Sequence, residues 1–179
     1  MATSVLWLRR DLRVRDHPAL VAAHEAAAGA VLPLFVIDPV LWDNAAPARR
    51  ERLAASLHAL SAAYAGSLVV RRGAPGRVVP AVAREAAADT VHVTAESTPY
   101  GRRRDGAVRA ALAAEGRALV ATGTAYAVGP GNVTTGSGTA YQVFTPFARA
   151  WREHGWPPPA VTPRGLRWAR GVDTEPLPA

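Results

Sequence analysis

The side chains able to do chemistry gather in a few short stretches. They are Arg9-Arg10-Asp11-Leu12-Arg13, Asp38, Arg49, and the run from Glu96 to Arg104. Carboxylates that accept and guanidinia that donate, set beside apolar residues, suit a flat ligand with a polar edge. The charge from Arg9 to Arg13 exceeds what a connection needs. Each residue taken alone has an ordinary explanation: Arg13 pairs with Asp16, and Asp16 or His17 caps the helix that follows.

Other chemistries are absent from the chain. No Gly-x-Gly-x-x-Gly follows the first apolar run, so the usual dinucleotide fingerprint is missing. A phosphate loop of the Gly-Lys-Ser/Thr type needs Lys, and the chain has none. The five His (17, 24, 58, 92 and 154) show no metal-ligand spacing. His17, near a helix start, and His92, within a strand, read as structural. No nucleophile elbow occurs, and Gly136-Ser137-Gly138 reads as a flexible turn. With no Cys there is neither disulfide nor thiolate chemistry.

The elements that must position these residues follow from apolar runs and their punctuation. Ser4 to Leu8 reads as a buried strand ending abruptly in charge, and a helix is predicted from Pro18 to Ala28. Ala30 to Ile37 is a second buried strand, and Pro39 keeps Asp38 out of helix at its carboxyl end. Residues 41–47 read as an irregular connection. Ala48 to Tyr64 is predicted as a long helix, with Leu53, Leu57 and Leu60 toward the sheet. Arg49, Arg50 and Arg52 crowd its first turn, the wrong end for cations on helix-dipole grounds. That broken rule suggests a ligand or partner there.

Further strands are expected at 67–70, 90–95 and 118–121, with helices at 75–87 and from about Asp105 to Ala114. The polar stretch before Asp105 reads as a loop. Strand and helix thus alternate with short links. This predicts an α/β fold: a five-stranded parallel, doubly wound, Rossmann-like sheet with helices on both faces. In such sheets ligands sit in the crevice beyond the strands' carboxyl ends. Beyond residue 123 the alternation stops. A helix is expected with Thr145 as N-cap and Pro146 at N1, carrying Phe147 and Trp151 on one face and ending near Gly155. Residues 157–179, Pro-rich, read as a linker or disordered tail.

At 179 residues, 49% hydrophobic, the chain is long enough for one domain with a real core. No run of about 18 apolar residues exists, so no membrane span is expected. No signal peptide is read at the N-terminus, and the cytoplasm is the default expectation. The net charge of +7 comes entirely from Arg, as in a GC-rich coding bias, and favours acidic partners.

Three motifs carry a resemblance. Leu6-Trp7-Leu8-Arg9-Arg10-Asp11-Leu12-Arg13, with Asp16 and Leu20, resembles the opening signature of the DNA photolyase/cryptochrome family. Tyr141-Gln142-Val143-Phe144-Thr145-Pro146-Phe147, with Trp151, is similar to the segment closing that family's N-terminal α/β domain. Pro99-Tyr100-Gly101-Arg102-Arg103-Arg104-Asp105-Gly106 also matches members of it. The three lie in the family's order and spacing over residues 4–156.

The resemblance implies an α/β domain, here residues 1–156, that holds an antenna chromophore. That pigment passes excitation to a reduced FAD in a separate helical domain, which binds damaged DNA and splits pyrimidine dimers. The helical FAD domain is expected to be absent from this chain, so the chain alone is expected not to act as a lyase. Folate-binding members carry an Asn-Glu pair where Tyr100-Gly101 stands here. The pattern is instead similar to members that bind a deazaflavin (8-HDF), or FMN in the same pocket. On that resemblance Asp38 and Glu96 are acceptors, and Arg49 is the cationic partner of the ring edge or ribityl chain. Arg9 and Arg10 supply donors, and Phe35 and Val36 line the ring. A basic residue of the helical domain helps to close the pocket.

Two other readings compete. One is a nucleic-acid-binding module driven by the Arg surplus, though no basic run interleaved with aromatics appears. The other is a protein-interaction domain with an empty pocket, docking a separately encoded helical partner through Tyr141 to Trp151, a segment whose apolar surface favours association when exposed.

Overall fold

Five strands form one parallel sheet in the order β3-β2-β1-β4-β5. The structure is a computed structural model that describes residues 3–27 and 29–179. Its strands are β1 (Thr3–Leu8), β2 (Ala30–Ile37), β3 (Val69–Arg72), β4 (Ala88–Ala95) and β5 (Ala118–Thr124). The helices are α1 (Pro18–Ala26), α2 (Pro39–Trp42), α3 (Pro47–Ala63), α4 (Pro75–Glu85), α5 (Pro99–Ala113) and α6 (Phe144–His154). The expected end of the first helix, Ala28, lies outside the described residues.

Alternation along β1 builds two cores. Val5 and Trp7 join Val79, Val82 and Ala83 of α4 and Val108 and Leu112 of α5 on one face. Leu6 and Leu8 join Ala19, Leu20 and Ala23 of α1 and Leu57 and Leu60 of α3 on the other. With helices on both faces, the central strands bury nearly every residue, as parallel sheets require. The chain reverses its direction of winding between β1 and β4, which opens a crevice at their carboxyl ends.

Several elements depart from the sequence-based expectation. Residues 39–42 form the short helix α2, because Asp38 accepts from the Val40 N–H and Pro39 opens the turn. β3 begins two residues late, because Ala65 and Gly66, both at positive φ, carry the chain out of α3 through a turn. β5 runs on to Thr124; at the sheet edge its outer side chains stay in solvent, and the apolar signal fades there. α5 starts at Pro99, with the Thr98 hydroxyl accepting from the Gly101 N–H, so the arginine run lies on a helix. α6 begins at Phe144 with Val143 at the cap position. Thr145 and Pro146 sit inside its first turn, where a missing N–H costs nothing.

The segment 157–179 has little regular structure, but it is neither free nor disordered. Trp168 makes a parallel bridge to Val31 and packs against Tyr64 with the rings tilted at 44° and their centroids 4.3 Å apart. Farther on, the Glu175 N–H donates to the Val70 carbonyl and the Thr174 hydroxyl accepts from the Val70 N–H. The Glu175 carboxylate accepts from the Arg72 N–H. These are the outward-pointing backbone groups of edge strand β3, which otherwise present an open ladder. Leu166, Trp168 and Leu177 pack on the α1/α3 core, a contact that local periodicity cannot reveal.

Candidate functional site

The carboxyl ends of β1, β2 and β4, with the first turns of α3 and α5, enclose two adjoining hollows. One, of about 390 Å³, is lined by Trp7, Arg9, Phe35, Asp38, Glu96 and Tyr100 among others. The second, of about 560 Å³, lies under α2 and α3 against Trp42, Arg50, Arg52 and Leu53. Both are walled by Arg9, Arg10, Phe35, Val36, Asp38, Leu41 and Arg49. These volumes fall in the range of small-molecule sites, about 300–1,000 Å³.

The floor is a buried charge cluster. The Arg9 guanidinium leaves β1 and donates to Asp105 at 2.6 Å and to the Thr94 carbonyl. Arg104 donates to the same carboxylate at 2.9 and 3.0 Å. Both guanidinia lie over the Trp7 ring, at 4.8 and 5.1 Å. Burial pulls the Arg9 guanidinium below its ordinary value, against the opposing pull of Asp105. Asp11 holds the loop beneath. It accepts from the Arg9 N–H at 3.0 Å and from the Thr94 hydroxyl, and His17 Nε2 faces it at 3.3 Å. Burial alone would raise that carboxyl, but His17 and these donors outweigh it and hold it well below the carboxylate range. His17 Nδ1 accepts from the Leu20 N–H, so this residue caps α1.

The two wall carboxylates are partly engaged. Asp38 Oδ1 caps α2, and Oδ2 accepts from the Tyr100 hydroxyl. Burial first, and then Asp38, push the Tyr100 phenol up to about 12. Glu96 Oε1 accepts from the Ser97 and Thr98 N–H groups at 3.1 and 3.2 Å, which holds the carboxylate at the start of α5. Arg10, 58% exposed at the rim, stands 3.8 Å from it.

All seven residues singled out from the sequence, Arg9, Arg10, Phe35, Val36, Asp38, Arg49 and Glu96, line the smaller hollow. Their states differ. Arg9 is a buried tie whose Nη1 and Nη2 donate to Asp105 and to the Thr94 carbonyl while the side chain lines both hollows. Arg49 is exposed and, among the described residues, makes no ion pair. Tyr100, Gly101 and Arg104 also line the hollow and were not among those seven. Their signal was present: Thr98-Pro99 is a helix start, and Tyr100 and Arg104 then share one face, four residues apart. Trp7, Trp42 and Arg50 were likewise absent from that set, since apolar or helical context gives no sign of a cavity wall.

A Rossmann-like sheet with a lined cavity at its topological switch point is the arrangement in which open α/β domains hold their ligands. The DNA photolyase family model matches residues 4–164, and the chain belongs to that family. It is 38% identical over 185 residues to a deoxyribodipyrimidine photo-lyase of Streptomyces griseus, with 99% of this chain and 40% of that protein covered. To the enzyme of the same name from a Synechococcus strain it is 37% identical over 172 residues, covering 93% and 35%. The crystal structure of a class III photolyase from Agrobacterium tumefaciens superposes with a TM-score of 0.83 at 32% identity, covering 99% of this chain and 37% of that one. The chain thus spans about two-fifths or less of these relatives' length.

Proposed function

We propose that the chain is the antenna-chromophore domain of a photolyase-type protein, and that its switch-point hollows take a flavin-like pigment, a deazaflavin (8-HDF) or FMN. The observation that carries this reading is the single cavity wall shared by Arg9, Arg10, Phe35, Val36, Asp38, Arg49 and Glu96. Phe35 and Val36 offer apolar contact to a flat ring. Glu96 Oε2 and the Arg49 guanidinium offer an acceptor and a cation to its edge or ribityl chain. The Arg50 Nε is buried without a partner among the described residues, an orphaned donor on the wall of the second hollow. Asp38, already accepting from Val40 and Tyr100, retains lone pairs for one further donor. When bound, such a pigment supplies absorption of near-UV or blue light and passes its excitation to a second flavin elsewhere in the whole protein.

The remaining partners of that whole protein follow from the same reading. Val143, Phe144 and Trp156 stand 62%, 77% and 57% exposed around α6. They suit an apolar contact with a helical, FAD-binding and DNA-binding part, through which repair would proceed. Nothing among the described helices is long and apolar enough to cross a membrane.

Titration of the chain with FMN and with the deazaflavin, followed by absorbance and fluorescence, tests the reading. Saturable binding is expected, weakened roughly tenfold or more by Arg49→Gln or Glu96→Gln, as loss of a charge-assisted bond implies. Absence of binding by either pigment at millimolar concentration overturns it.

A further inference from the structure

The Trp and Tyr residues of the cavity share a feature found nowhere else among the described residues. Trp7, Tyr100 and Trp42 are the Trp and Tyr residues that line the two hollows. Each has a guanidinium over its ring. Arg9 and Arg104 lie 4.8 and 5.1 Å from Trp7, Arg104 lies 5.9 Å from Tyr100, and Arg50 lies 5.7 Å from Trp42. Tyr64 and Trp168, and Trp151 and Trp156, pack instead on each other's rings. Were the abundance of Arg the cause, guanidinia would cover aromatics elsewhere too.

We infer that these arginines protect the excited pigment from being quenched by the walls of its own pocket. The inference rests on the proposed flavin-like ligand. An excited flavin is a strong one-electron oxidant, and an indole or phenol beside it is the nearest reductant. In the competing reaction one electron leaves the aromatic ring and enters the excited flavin. With such a pigment bound, the ring would be left a radical cation and the electron would pass to the pigment, whose return of it would dissipate the excitation as heat. No bond forms or breaks, and the light energy is lost to the second flavin. A cation over the ring is attracted to the neutral π-face and repelled by the radical cation. It therefore opposes the electron's departure. Excluding a competing reaction is the protein's part in cofactor chemistry.

The local charges support this at both Trp residues. Two guanidinia lie over the Trp7 ring, while the carboxylates that act on them, Asp105 and Asp11, bond to the guanidinia and to the loop beneath rather than lying over the ring. Arg50 donates to the Asp43 backbone carbonyl, while the Asp43 carboxylate pairs with Arg72 at 2.6 Å, so the charge over Trp42 is not cancelled. Tyr100 is the least protected. Its guanidinium is the most distant, and its hydroxyl donates to Asp38, an anion that opposes the effect.

The test is the fluorescence lifetime of FMN bound to the full chain. The wild-type lifetime is expected to stay within about twofold of free FMN, while Arg104→Gln and Arg50→Gln each shorten it by about twofold or more at saturating FMN. Removing the exposed reductant restores it: Trp7→Phe in the Arg104→Gln background, and Trp42→Phe in the Arg50→Gln background. Arg50 lies toward the surface, so its variant keeps the test open should Arg104→Gln unfold. A wild-type lifetime far below that of free FMN, unchanged lifetimes in the single variants, or shortening that survives loss of the Trp, each overturns the inference and leaves pigment binding intact. Failure of FMN to bind removes this inference and the proposed function together.

Discussion

Gly101 and Glu96 exclude each other's space: a Cβ built on Gly101 falls 1.8 Å from Glu96 Cγ and 2.8 Å from its Cδ. The missing side chain on α5 is what lets the carboxylate lie at the mouth of the helix. Gly101→Ala gains about 1 kcal/mol of helix propensity but forces an overpacked site costing about 1–3 kcal/mol. We expect a net loss of stability together with loss of FMN affinity, because Glu96 must swing out. In the Glu96→Ala background the same substitution should cost less by about 0.5–2 kcal/mol. The contact with Thr98 Oγ1 at 2.9 Å remains in both backgrounds. Urea denaturation of the four proteins of this cycle checks the coupling; purely additive effects would show that the two residues do not compete.

Tyr100 and Asp38 tie α5 to the end of β2. The phenol is held up at about 12 by burial and by Asp38, above its unfolded value of about 10. The neutral form is thus favoured in the folded state. Its contribution is complete below pH 10 and is lost as the pH rises from about 10 to 12. Tyr64, raised mainly by burial, acts in the same direction. Tyr100→Phe should therefore flatten part of the alkaline decline in stability and leave the rest. An unchanged alkaline profile in the variant would contradict this assignment. At neutral pH the lost hydrogen bond should cost about 0.5–1.5 kcal/mol.

How much of this was legible beforehand depends on how local the signal is. Both ends of β2 are legible in the sequence, since a continuous apolar run closed by Asp38-Pro39 is a local pattern. The convergence of Arg9, Asp38, Arg49 and Glu96 was legible too, because a parallel alternating sheet must bring its strand ends to one side. The start of α5 is hidden in the sequence by the polar run Arg102, Arg103 and Arg104, and with it the inward face of Tyr100 and Arg104. That Arg9 spends its donors on Asp105 and Thr94 depends on partners 96 and 85 residues away. The docking of Trp168 on Tyr64 is equally non-local. A segment without periodicity gives no sign of the edge it will cover.

Asp11 should make the fold sensitive to acid. Its carboxyl is depressed in the folded state, so its contribution is present above the unfolded value of about 3.9 and is lost as the pH falls below it. In Asp11→Asn the amide can still accept from the Arg9 N–H, but its NH₂ then opposes the Thr94 hydroxyl or the His17 ring. The loss should be about 2–4 kcal/mol at pH 7, of the size seen when a buried charged network is broken. The gap between wild type and variant should narrow as the pH drops from about 4. Thermal melts from pH 7 to pH 2.5 provide the measurement, and a gap that stays constant across that range would rule out the carboxylate as its origin.

The segment that covers β3 offers a last prediction. Glu175 and Thr174 occupy the outward N–H and carbonyl groups of Val70 and the N–H of Arg72, and Trp168 seals Tyr64 and the start of β2. Deleting residues 166–179 leaves an edge strand with unpaired backbone groups beside the apolar side chains of Tyr64 and Leu68, the arrangement that invites pairing with another chain. The shortened chain should therefore associate at concentrations where the full chain does not, and lose stability by about 2–4 kcal/mol from the buried Trp surface alone. The two effects separate. Trp168→Ala removes the apolar contact but keeps the Glu175 and Thr174 hydrogen bonds, so it should lose stability without associating. Glu175→Pro removes the N–H that reaches Val70 while keeping Trp168, so it should promote association with a smaller loss of stability. Light scattering across a concentration series distinguishes them. If the deletion stays monomeric while Trp168→Ala associates, exposed apolar surface, and not the open ladder of β3, is what this segment guards against.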